Sequence, residues 1–349
     1  MAVSLKDISR VTNINTCSIS QVLNNHPKAM TLRPETRAKI IAAAKELGYC
    51  KNEMAASISG KNSKILAFVT QPMGSIEYTG LIQNGILNTV GGRGYTTIVY
   101  RLENMSQEEI ITKIIGWRVA GVVFHVPRKQ TVAAITAALD KNSIHYGFVN
   151  LSNPDGIGVT SNDRQGVADA VGYLKEKGHK RIALARIAVK GKIEYDVRRI
   201  QGYNDGLAEF FPQQEEIIFN IPSPEKENSE DFLQQTVTEI IRNKIDGIIC
   251  TGDSIAAKLI NTALSMNYRV PDDFSVIGFG NSVISGAVFP PLTTIYQNFE
   301  AMGEAVVNCL IDIVEKKSAI KKFDIMQPTS ILERKSVKDF FTDKNEKIV

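Results

Sequence analysis

Apolar side chains recur at helical spacing at the start of the chain. Leu5, Ile8 and Val11 fall on one stripe of the segment LKDISRVT. Ser4 stands directly before this segment and Asp7 follows three residues later, which is the arrangement of a capping box. The pattern predicts a short amphipathic helix that begins after Ser4.

A second short helix is predicted at residues 16–24, with Asn15 as its N-cap. Ile19, Val22 and Leu23 form its apolar stripe. The opposite face carries small polar side chains, those of Thr16, Cys17, Ser20, Gln21 and Asn24. Two short helices joined in this way form a helix-turn-helix, whose small polar outer face suits hydrogen bonding to base edges in a DNA major groove.

A third helix is predicted from Pro34, a residue suited to the first helical turn, to a stop at Gly48. The side chains expected to be buried are Ile40, Ile41, Ala44 and Leu47. A small three-helix bundle serves either DNA binding or protein–protein interaction. The apolar pattern alone leaves both functions open.

The pattern changes at residue 64, where short apolar runs begin to alternate with amphipathic helical segments. The predicted strands are KILAFVTQ, YTTIVYRL, GVVFHV, HYGFVN, IGVTSN, KRIALARI, EIIFNI, GIICTG and SVIGFG. Apolar strands separated by helices indicate parallel sheets covered on both faces, and open sheets of this type bind ligands beyond their carboxyl ends. The predicted fold class is α/β, with an all-α helix-turn-helix headpiece followed by two doubly wound parallel-sheet subdomains.

The composition is that of a soluble globular protein of 349 residues, 43% hydrophobic and 22% charged. No run approaches the roughly 18 apolar residues of a membrane span, and the N-terminus lacks the apolar core of an export signal. Cys17, Cys50, Cys250 and Cys309 are far apart and form no CxxC pair. We expect a cytoplasmic protein with reduced thiols, and with no membrane partner, metal site or cofactor.

The net charge of +4 is concentrated near the N-terminus. The first 61 residues hold nine of the 41 basic residues and four of the 37 acidic ones, a net charge of +5 that leaves the rest at −1. Neutralising phosphates releases counterions, so a basic head on a near-neutral body suits a phosphate-facing module. An ordinary solvated basic surface would have the same charge.

The order of residues in the head is more specific than its pattern. The stretches SLKDISRVTNINTCSISQVLN and RPETRAKIIAAAKELGY closely resemble the headpiece of the lactose/galactose-repressor (LacI/GalR) family over residues 4–49. The resemblance implies a sequence-specific transcriptional regulator, with Thr16, Cys17 and Gln21 at base-reading positions. The positions at which family members contact phosphates are here Ser4, Asn15, Ser20, Asn24, Thr36 and Tyr49.

Gln21 departs from the family, which most often has arginine at this position. Glutamine can bind adenine through two hydrogen bonds, whereas arginine prefers guanine. We therefore expect an operator unlike the commonest half-site of the family.

Residues 51–60, KNEMAASISG, resemble the hinge helix of the family, which folds when two such helices lie together in the minor groove. Ala55 and Ile58 match its small and wedging positions, since an apolar side chain inserted at a base step kinks the duplex. Lys51 replaces the usual proline and Ile58 the usual leucine. A plain flexible linker is the alternative.

Most of the remaining chain resembles the effector-binding core of the same family, which shares its fold with periplasmic sugar-binding proteins. The matching segments are AGVVF, SNDRQGVADAVGYLKEKGHKRIA, RIQGY, VPDDFSVIGF and PPLTTI. The resemblance implies a headpiece at 1–50, a hinge at 51–61 and an effector-binding domain at 62–349. Its N-subdomain would comprise residues 62–162 and 294–326, and its C-subdomain residues 163–293 and 327–341.

A small-molecule effector is expected in the cleft between these subdomains. Arg199 aligns with the arginine that anchors the effector in the family, and a guanidinium fork matches paired hydroxyls or a carboxylate. The other expected contacts are Tyr78, His125, Asn150, Tyr195, Asp253, Asn281 and Phe299. Asp253 could instead only cap the helix that follows it, and Phe299 could belong to the core.

Two glycines stand where the family has polar side chains that bind sugar hydroxyls. Gly280 replaces an acid, and Gly252 replaces a residue that is often asparagine. These changes weaken the case for an ordinary hexose. They favour a bulkier ligand such as an oligosaccharide, or a ligand with an anion that pairs with Arg199.

Together these features predict a homodimeric repressor that binds pseudo-palindromic double-stranded DNA. We expect that the protein is not an enzyme. A nucleotide-dependent α/β enzyme would need a phosphate-binding loop, whereas GGRG at 91–94 follows a predicted helix and precedes a strand, the reverse of the required order. A solute-binding protein of the same fold would need an export signal, whereas the N-terminus holds a basic helix-turn-helix.

Overall fold

The computed structural model describes residues 3–24, 26–49, 63–71, 77–188, 191–222, 229–319 and 322–341. The chain divides into two compact units, a helical unit before residue 64 and an α/β unit after it. Cys50 and the hinge segment 51–61, with Ala55 and Ile58, lie outside the described residues. The role of that segment in a minor groove stays a prediction.

The helical unit forms the helix-turn-helix that the sequence predicts. Its α-helices are α1 (Leu5–Thr12), α2 (Thr16–Leu23) and α3 (Pro34–Glu46). The carboxylate of Asp7 accepts hydrogen bonds from the backbone amide and hydroxyl of Ser4, at 2.9 and 2.6 Å. Oδ1 of Asn15 accepts from the amide of Ser18 at 2.7 Å. Both predicted caps are therefore confirmed.

The core of this unit differs from the prediction at two positions. Val11 and Ile41 are 60% and 56% exposed, and Thr12 and Ala43 are buried in their place. Thr12 lies four residues after the buried Ile8, and Ala43 lies three residues after the buried Ile40. The buried residues thus follow one helical face more strictly than hydrophobicity alone suggests.

The α/β unit contains two sheets. The strands of the first are β1 (Ile65–Thr70), β2 (Thr96–Arg101), β3 (Gly121–His125), β4 (His145–Val149), β5 (Ile157–Ser161) and β11 (Phe323–Gln327). Those of the second are β6 (Ile182–Ile187), β7 (Ile218–Ile221), β8 (Gly247–Cys250), β9 (Ser275–Gly280), β10 (Thr293–Gln297) and β12 (Thr329–Leu332). The strand orders are β11-β5-β4-β3-β1-β2 and β12-β10-β9-β8-β6-β7. All neighbours are parallel except β10 and the edge strand β12.

Helices cover both faces of both sheets, as the doubly wound prediction requires. They are α4 (Glu77–Gly92), α5 (Gln107–Gly116), α6 (Ala133–Lys141), α7 (Asp163–Glu176), α8 (Glu194–Phe210), α9 (Ser229–Arg242), α10 (Asp253–Ser265), α11 (Val283–Ala287) and α12 (Phe299–Val314). The first sheet with α4, α5, α6 and α12 forms the N-subdomain, and the second sheet with the remaining five forms the C-subdomain. In the part of the chain that the structure describes, no helix combines the length and apolar character of a membrane span.

The chain crosses between the subdomains at three places. β5 leads into α7 through Asn162, β10 into α12 through Asn298, and β11 into β12 through Pro328. The predicted boundary between residues 293 and 294 is wrong, because Thr293–Tyr296 pair in parallel with β9 and belong to the C-subdomain. The second crossing follows at Asn298.

Candidate functional site

The polar face of α2 is accessible in the helical unit. Thr16 and Cys17 are exposed and Gln21 is half-buried. The side-chain amide of Gln21 donates to Sγ of Cys17 at 3.6 Å. Ile19 and Val22 hold the opposite face of the helix in the core. The three side chains predicted to read bases therefore share a face that packing leaves open to a partner.

The residues predicted to contact phosphates make more hydrogen bonds within the protein than the three predicted base-reading residues do. Ser4 and Asn15 take part in the two helix caps, and Oγ of Ser20 accepts a hydrogen bond from Nδ2 of the Asn24 side chain at 3.2 Å. Thr36 and Tyr49 are half-buried. Basic side chains supplement them, and those exposed in this unit include Lys6, Arg10, Lys28, Arg33, Lys39 and Lys45. The compact unit that carries the polar face of α2 thus also carries exposed positive charge.

In the α/β unit, three predicted effector residues meet at the carboxyl edge of the first sheet. Tyr78 lies in the first turn of α4 and Phe299 begins α12, and their rings stack with centroids 5.1 Å apart. His125 ends β3, and its ring meets that of Tyr78 edge-on at 6.1 Å. Phe299 is also part of the buried core, as its alternative interpretation holds. Asn150 directly follows the neighbouring strand β4.

Several polar side chains at this edge are buried without a hydrogen bond to any described residue. The atoms concerned are both ring nitrogens of His125, Oδ1 of Asn150, and Oγ1 of Thr70 and Thr79. Thr70 and His125 are register partners on β1 and β3. Burial lowers the pKa of His125 to about 4, so the imidazole is neutral at pH 7. Buried polar groups in proteins are nearly always hydrogen-bonded, so this edge is suited to a polar ligand.

Arg199 is buried as well, but its guanidinium already has partners. Nε and Nη2 contact Oδ1 of Asp163 at 2.8 Å, Nη1 donates to the carbonyl of Thr251 at 2.6 Å, and Nη2 reaches Oε1 of Gln297 at 3.4 Å. The guanidinium carbon lies 3.7 Å from the ring centroid of Phe279. The sequence predicts an effector anchor here, whereas the structure shows an arginine whose donors serve internal groups.

Three of the residues around Arg199 are absent from the predicted site. Oγ of Ser161 donates to Oδ2 of Asp163 at 3.0 Å, and Nε2 of Gln297 donates to Oγ of Ser161. Each stands beside a crossing between the subdomains, at the end of β5 or β10 or at the start of α7. The sequence shows that a polar residue ends an apolar strand, and this signal could have identified Ser161 and Gln297. The sequence does not show that such a residue pairs with an arginine in another element.

Asp253 and Asn281, also predicted to contact the effector, are bound to the C-subdomain instead. Asp253 is the first residue of α10, not its N-cap, and its carboxylate accepts from the hydroxyl of Thr294 and the amide of Ser282. Burial raises the pKa of Asp253. Oδ1 of Asn281 accepts a hydrogen bond from Arg334 at 2.7 Å. Both side chains therefore have hydrogen-bond partners within their own subdomain.

The two subdomains contact one another along the rim of the cleft. The amide of Ser152, after β4, donates to the carboxylate of Glu194, at the start of α8, at 3.1 Å. Tyr195 lies under the guanidinium of Arg199, 4.9 Å from it. Burial, and then the adjacent Tyr195, raise the pKa of Tyr78. Tyr78 and Tyr195 therefore face each other from opposite subdomains.

Gly280 and Gly252 differ in whether the backbone requires glycine. Gly280 has a φ of +125°, whereas Gly252 is extended and a Cβ there would meet no atom within 4 Å. We expect Gly280→Ala to lower the free energy of unfolding by about 1–3 kcal/mol, because L residues are strained at that φ. Gly252→Asn should change it by less than about 0.5 kcal/mol. Urea denaturation of the two variants measures both, and equal costs would contradict this assignment.

The other described residues offer few competing sites. A small cavity of about 10 Å³ lies within the C-subdomain, away from the predicted effector residues, and is lined by Ile187, Ile221, Pro222, Ser229, Leu233, Ile255 and Lys258. It is largely apolar and lacks convergent polar groups. Over the described ranges, no group of three or more His, Cys, Asp or Glu is placed to hold a metal ion. The cleft edge is the better ligand site because its polar groups converge.

Comparisons with known proteins cover nearly the full chain. Residues 171–337 match the family model of a periplasmic binding protein-like domain. The helix-turn-helix transcriptional repressor PurR of Erwinia tasmaniensis is 27% identical over 343 residues, 96% of this chain and 97% of that protein. The Lac repressor dimer bound to operator and an anti-inducer has a TM-score of 0.80 at 22% identity, over 97% of this chain and 100% of that one. The regulator CelR in complex with cellobiose has a TM-score of 0.65 at 20% identity, over 96% and 99%.

These similarities extend over both units of the chain. The structural neighbours share the fold, with a helical N-terminus and two α/β subdomains. The sequence relative, which is a regulator of transcription and not an enzyme, aligns with the helix-turn-helix head as well as the α/β body. The comparisons therefore support the resemblance of this chain to DNA-binding transcriptional regulators of the lactose/galactose-repressor (LacI/GalR) family.

Proposed function

We propose that this protein is a cytoplasmic repressor that binds a pseudo-palindromic operator as a homodimer and responds to a small molecule of the sugar class. The observation that carries the proposal is the accessible polar face of α2, with Thr16 and Cys17 exposed on a basic head. The similarity to a named repressor supports repression, and the similarity to a repressor dimer on its operator supports the assembly. The similarity to a cellobiose-bound regulator supports a sugar effector.

On DNA, we assign base contacts to Thr16, Cys17 and Gln21. Ser4, Asn15, Ser20, Asn24, Thr36 and Tyr49 are assigned to phosphates, and Ala55 and Ile58 to the minor groove. Phosphate contacts set affinity and register, and base contacts set the sequence that is read. The same few side chains on two heads would then read the two half-sites of a palindrome.

Exposed apolar side chains in the α/β unit support a second copy as partner. Val283 in α11 and Phe289 just after it are 78% and 82% exposed. Two large apolar side chains so close in sequence are costly to leave in water, and symmetric burial against a second copy removes that cost. A closed dimer also provides the two heads that a palindromic operator needs.

The effector would act by changing how the subdomains close on each other. Contacts across the rim, such as that of Ser152 with Glu194, exist only when the subdomains are close. A ligand held between them shifts operator affinity only by its differential affinity for the two closures, typically 1–3 kcal/mol or about 5- to 150-fold.

Selection of binding sites from random double-stranded DNA tests this function. We expect enrichment of pseudo-palindromes with adenine at the position read by Gln21, and a shift to guanine there for Gln21→Arg, because the two side chains prefer different bases. The preference should be about tenfold or more in affinity, from the usual 1–3 kcal/mol for such a contact. Enrichment of no sequence by folded protein would refute DNA reading. Guanine selected by the parent protein would refute only the assignment of Gln21.

A further inference from the structure

Two helices of the N-subdomain, α4 and α12, run side by side across the first sheet. Both start at its carboxyl edge, where the rings of Tyr78 and Phe299 stack. Both end at a group of charged side chains. There Nη2 of Arg93, directly after α4, lies 2.6 Å from Oδ1 of Asp312 in the last turn of α12. The two helices are therefore parallel and in contact at both ends.

Close packing between the two ends makes this helix pair rigid. A Cβ atom on Gly85 would lie 2.1 Å from the carbonyl oxygen of Glu300, and one on Gly303 would lie 2.4 Å from that of Ile82. Glycine at both positions lets the two backbones approach closely. Apolar side chains of both helices belong to one buried core. Each helix has 16 residues, so the pair is a firm base about 24 Å long.

The far end of the helix pair holds the first residue of the α/β unit, which is Lys64. Nζ of Lys64 lies 2.6 Å from Oε1 of Glu315, the residue directly after α12, and 4.1 Å from the ring centroid of Tyr95. The hydroxyl of Tyr95 donates to the same Oε1 at 3.3 Å. The carbonyl of Lys64 accepts from the amide of Thr96 at 2.8 Å. We call the following residues the junction cluster: Lys64, Arg93, Tyr95, Asp312 and Glu315.

Glu315 lies at the centre of the junction cluster. Its Oε2 is 2.7 Å from Nζ of Lys317 and 3.4 Å from Nη2 of Arg93, while its Oε1 contacts Lys64. Hydrogen bonds from Lys317 and Lys64 lower the pKa of Glu315 to about 2, so the carboxylate is charged at pH 7. One side chain thus joins the end of α12, the end of α4 and the start of the α/β unit.

The position of Lys64 in the sequence gives the junction cluster its significance. Residues 51–61 link the head to the α/β unit, and Lys64 follows this segment after two residues. Ser63 is itself only 9% exposed. The polypeptide connects the head to the α/β unit through this point, so the chain is already held in place where the linking segment ends.

The junction cluster differs from an ordinary solvated ion pair. The pair of Arg101 with Glu103 joins residues two positions apart, and both side chains are about half exposed. Lys64 and Glu315 are 251 positions apart, and the side chain of Glu315 is only 18% exposed. Local pairs restrict little of the chain. A contact between distant segments fixes one part of the fold against another.

We propose that Lys64 and Glu315 are positioning residues for operator binding, and that their ion pair fixes the start of the α/β unit to the helix pair before DNA is bound. This inference rests on the proposed function, since it takes operator binding as the activity. Without the ion pair, Ser63 and Lys64 would have to be ordered when the operator binds, and ordering the backbone at that moment weakens affinity. Neither Lys64 nor Glu315 contacts DNA in this arrangement.

A double-mutant cycle on operator affinity tests the ion pair. Lys64→Met and Glu315→Gln each remove one charge and keep most of the side chain. Each should weaken binding to the selected operator by about fivefold or more, since fixing the backbone of one residue costs at least about that factor. The double variant should bind no more weakly than the weaker single variant, because the same contact is lost in each. Independent losses that multiply in the double variant would overturn the proposal.

The direction of the two single effects excludes a general charge effect. Lys64→Met lowers the net charge and Glu315→Gln raises it, so general attraction to DNA would move the two affinities in opposite directions. A gain in affinity for Glu315→Gln would therefore overturn the proposal. Lys64→Arg keeps a cation beside Glu315 and should retain affinity within about threefold of the parent chain.

The salt dependence of binding separates positioning from phosphate contact. A lysine that contacts a phosphate contributes about one unit to the slope of log affinity against log salt concentration. Lys64→Met should leave this slope unchanged, and a fall of about one unit would make Lys64 a DNA contact and overturn the proposal. The matched control is Lys322→Met. Lys322 also precedes a strand of the first sheet and forms an exposed ion pair, with Asp155 at 3.2 Å, but it lies at the opposite edge of that sheet.

We expect the control to bind within about twofold of the parent chain, and thermal unfolding to show that all variants are folded. The Tm values should differ little, because half-exposed ion pairs contribute little to stability. Operator binding by the parent chain is measured first. Its absence would refute the proposed function and this inference with it. A parent chain that binds its operator, with Lys64→Met and Glu315→Gln equal to the control, would refute this inference alone.

Discussion

Replacing Thr16, Cys17 and Gln21 together by alanine abolishes sequence-specific operator binding and leaves the protein folded. Each base contact is worth about 1–3 kcal/mol, so three lost contacts reduce operator affinity by about a thousandfold or more, to the level of non-specific binding. The fold survives because Thr16 and Cys17 are exposed and alanine favours helix. Fluorescence anisotropy on the selected operator, at one fixed salt concentration, measures the loss.

Glu46→Ala is the control for this triple variant. Glu46 is exposed at the end of α3, outside the polar face of α2, so its replacement should leave operator affinity within about twofold. Circular dichroism confirms that both variants are folded. If the triple variant protected the same genomic sites as the parent chain, the assignment of α2 as the reading helix would be wrong.

Replacing Asp163 by alanine should destabilise the α/β unit by about 3–5 kcal/mol, the usual cost of breaking a buried ion pair by removing one partner. Asp163 is fully buried and Arg199 is 7% exposed, so the variant leaves a guanidinium without its counter-charge. It also removes the acceptor of the Ser161 hydroxyl at a crossing between the subdomains. Urea denaturation of the full chain, followed by circular dichroism, gives the change in the free energy of unfolding.

The neighbouring residue provides a matched control. Arg164, on the same helix, forms an ion pair with Asp205 in which both side chains are about half exposed. Exposed pairs contribute at most about 1 kcal/mol, so Arg164→Ala should shift the urea midpoint far less than Asp163→Ala. Similar midpoints for the two variants would show that burial of the Asp163 pair contributes little.

Local pattern was sufficient to predict most elements of this fold. Strands β1 to β9 and the caps at Ser4 and Asn15 follow from periodicity and from the chemistry of helix ends, which act over a few residues, whereas β10, β11 and β12 were not among the strands predicted from the pattern. The errors at Val11 and Ile41 arise because hydrophobicity was counted without the exact helical face. The misplaced boundary near residue 294 arises because pairing of β10 with β9 is a tertiary property.

The cleft was predicted less well, for a physical reason. The sequence identifies His125 and Asn150 as polar ends of apolar strands, and the structure places them at the same sheet edge. The sequence cannot show that the carboxylate of Asp163 already binds the guanidinium of Arg199, since the two residues are 36 positions apart. Whether a buried polar group is already satisfied depends on partners from other elements, so the two faces of the cleft were indistinguishable until the fold was known.

The crossing at Asn298 has a consequence for how the nascent chain folds. Synthesis delivers residues 163–297 in one piece, which provides the C-subdomain with every strand except the edge strand β12. The N-subdomain begins earlier but must wait for α12, which covers one face of its sheet with Met302, Val306 and Leu310. The half that leaves the ribosome first is thus completed last, reversing the usual vectorial order. Until translation is nearly finished, α4 alone covers the sheet face that it later shares with α12, and the rest of that apolar face stays exposed.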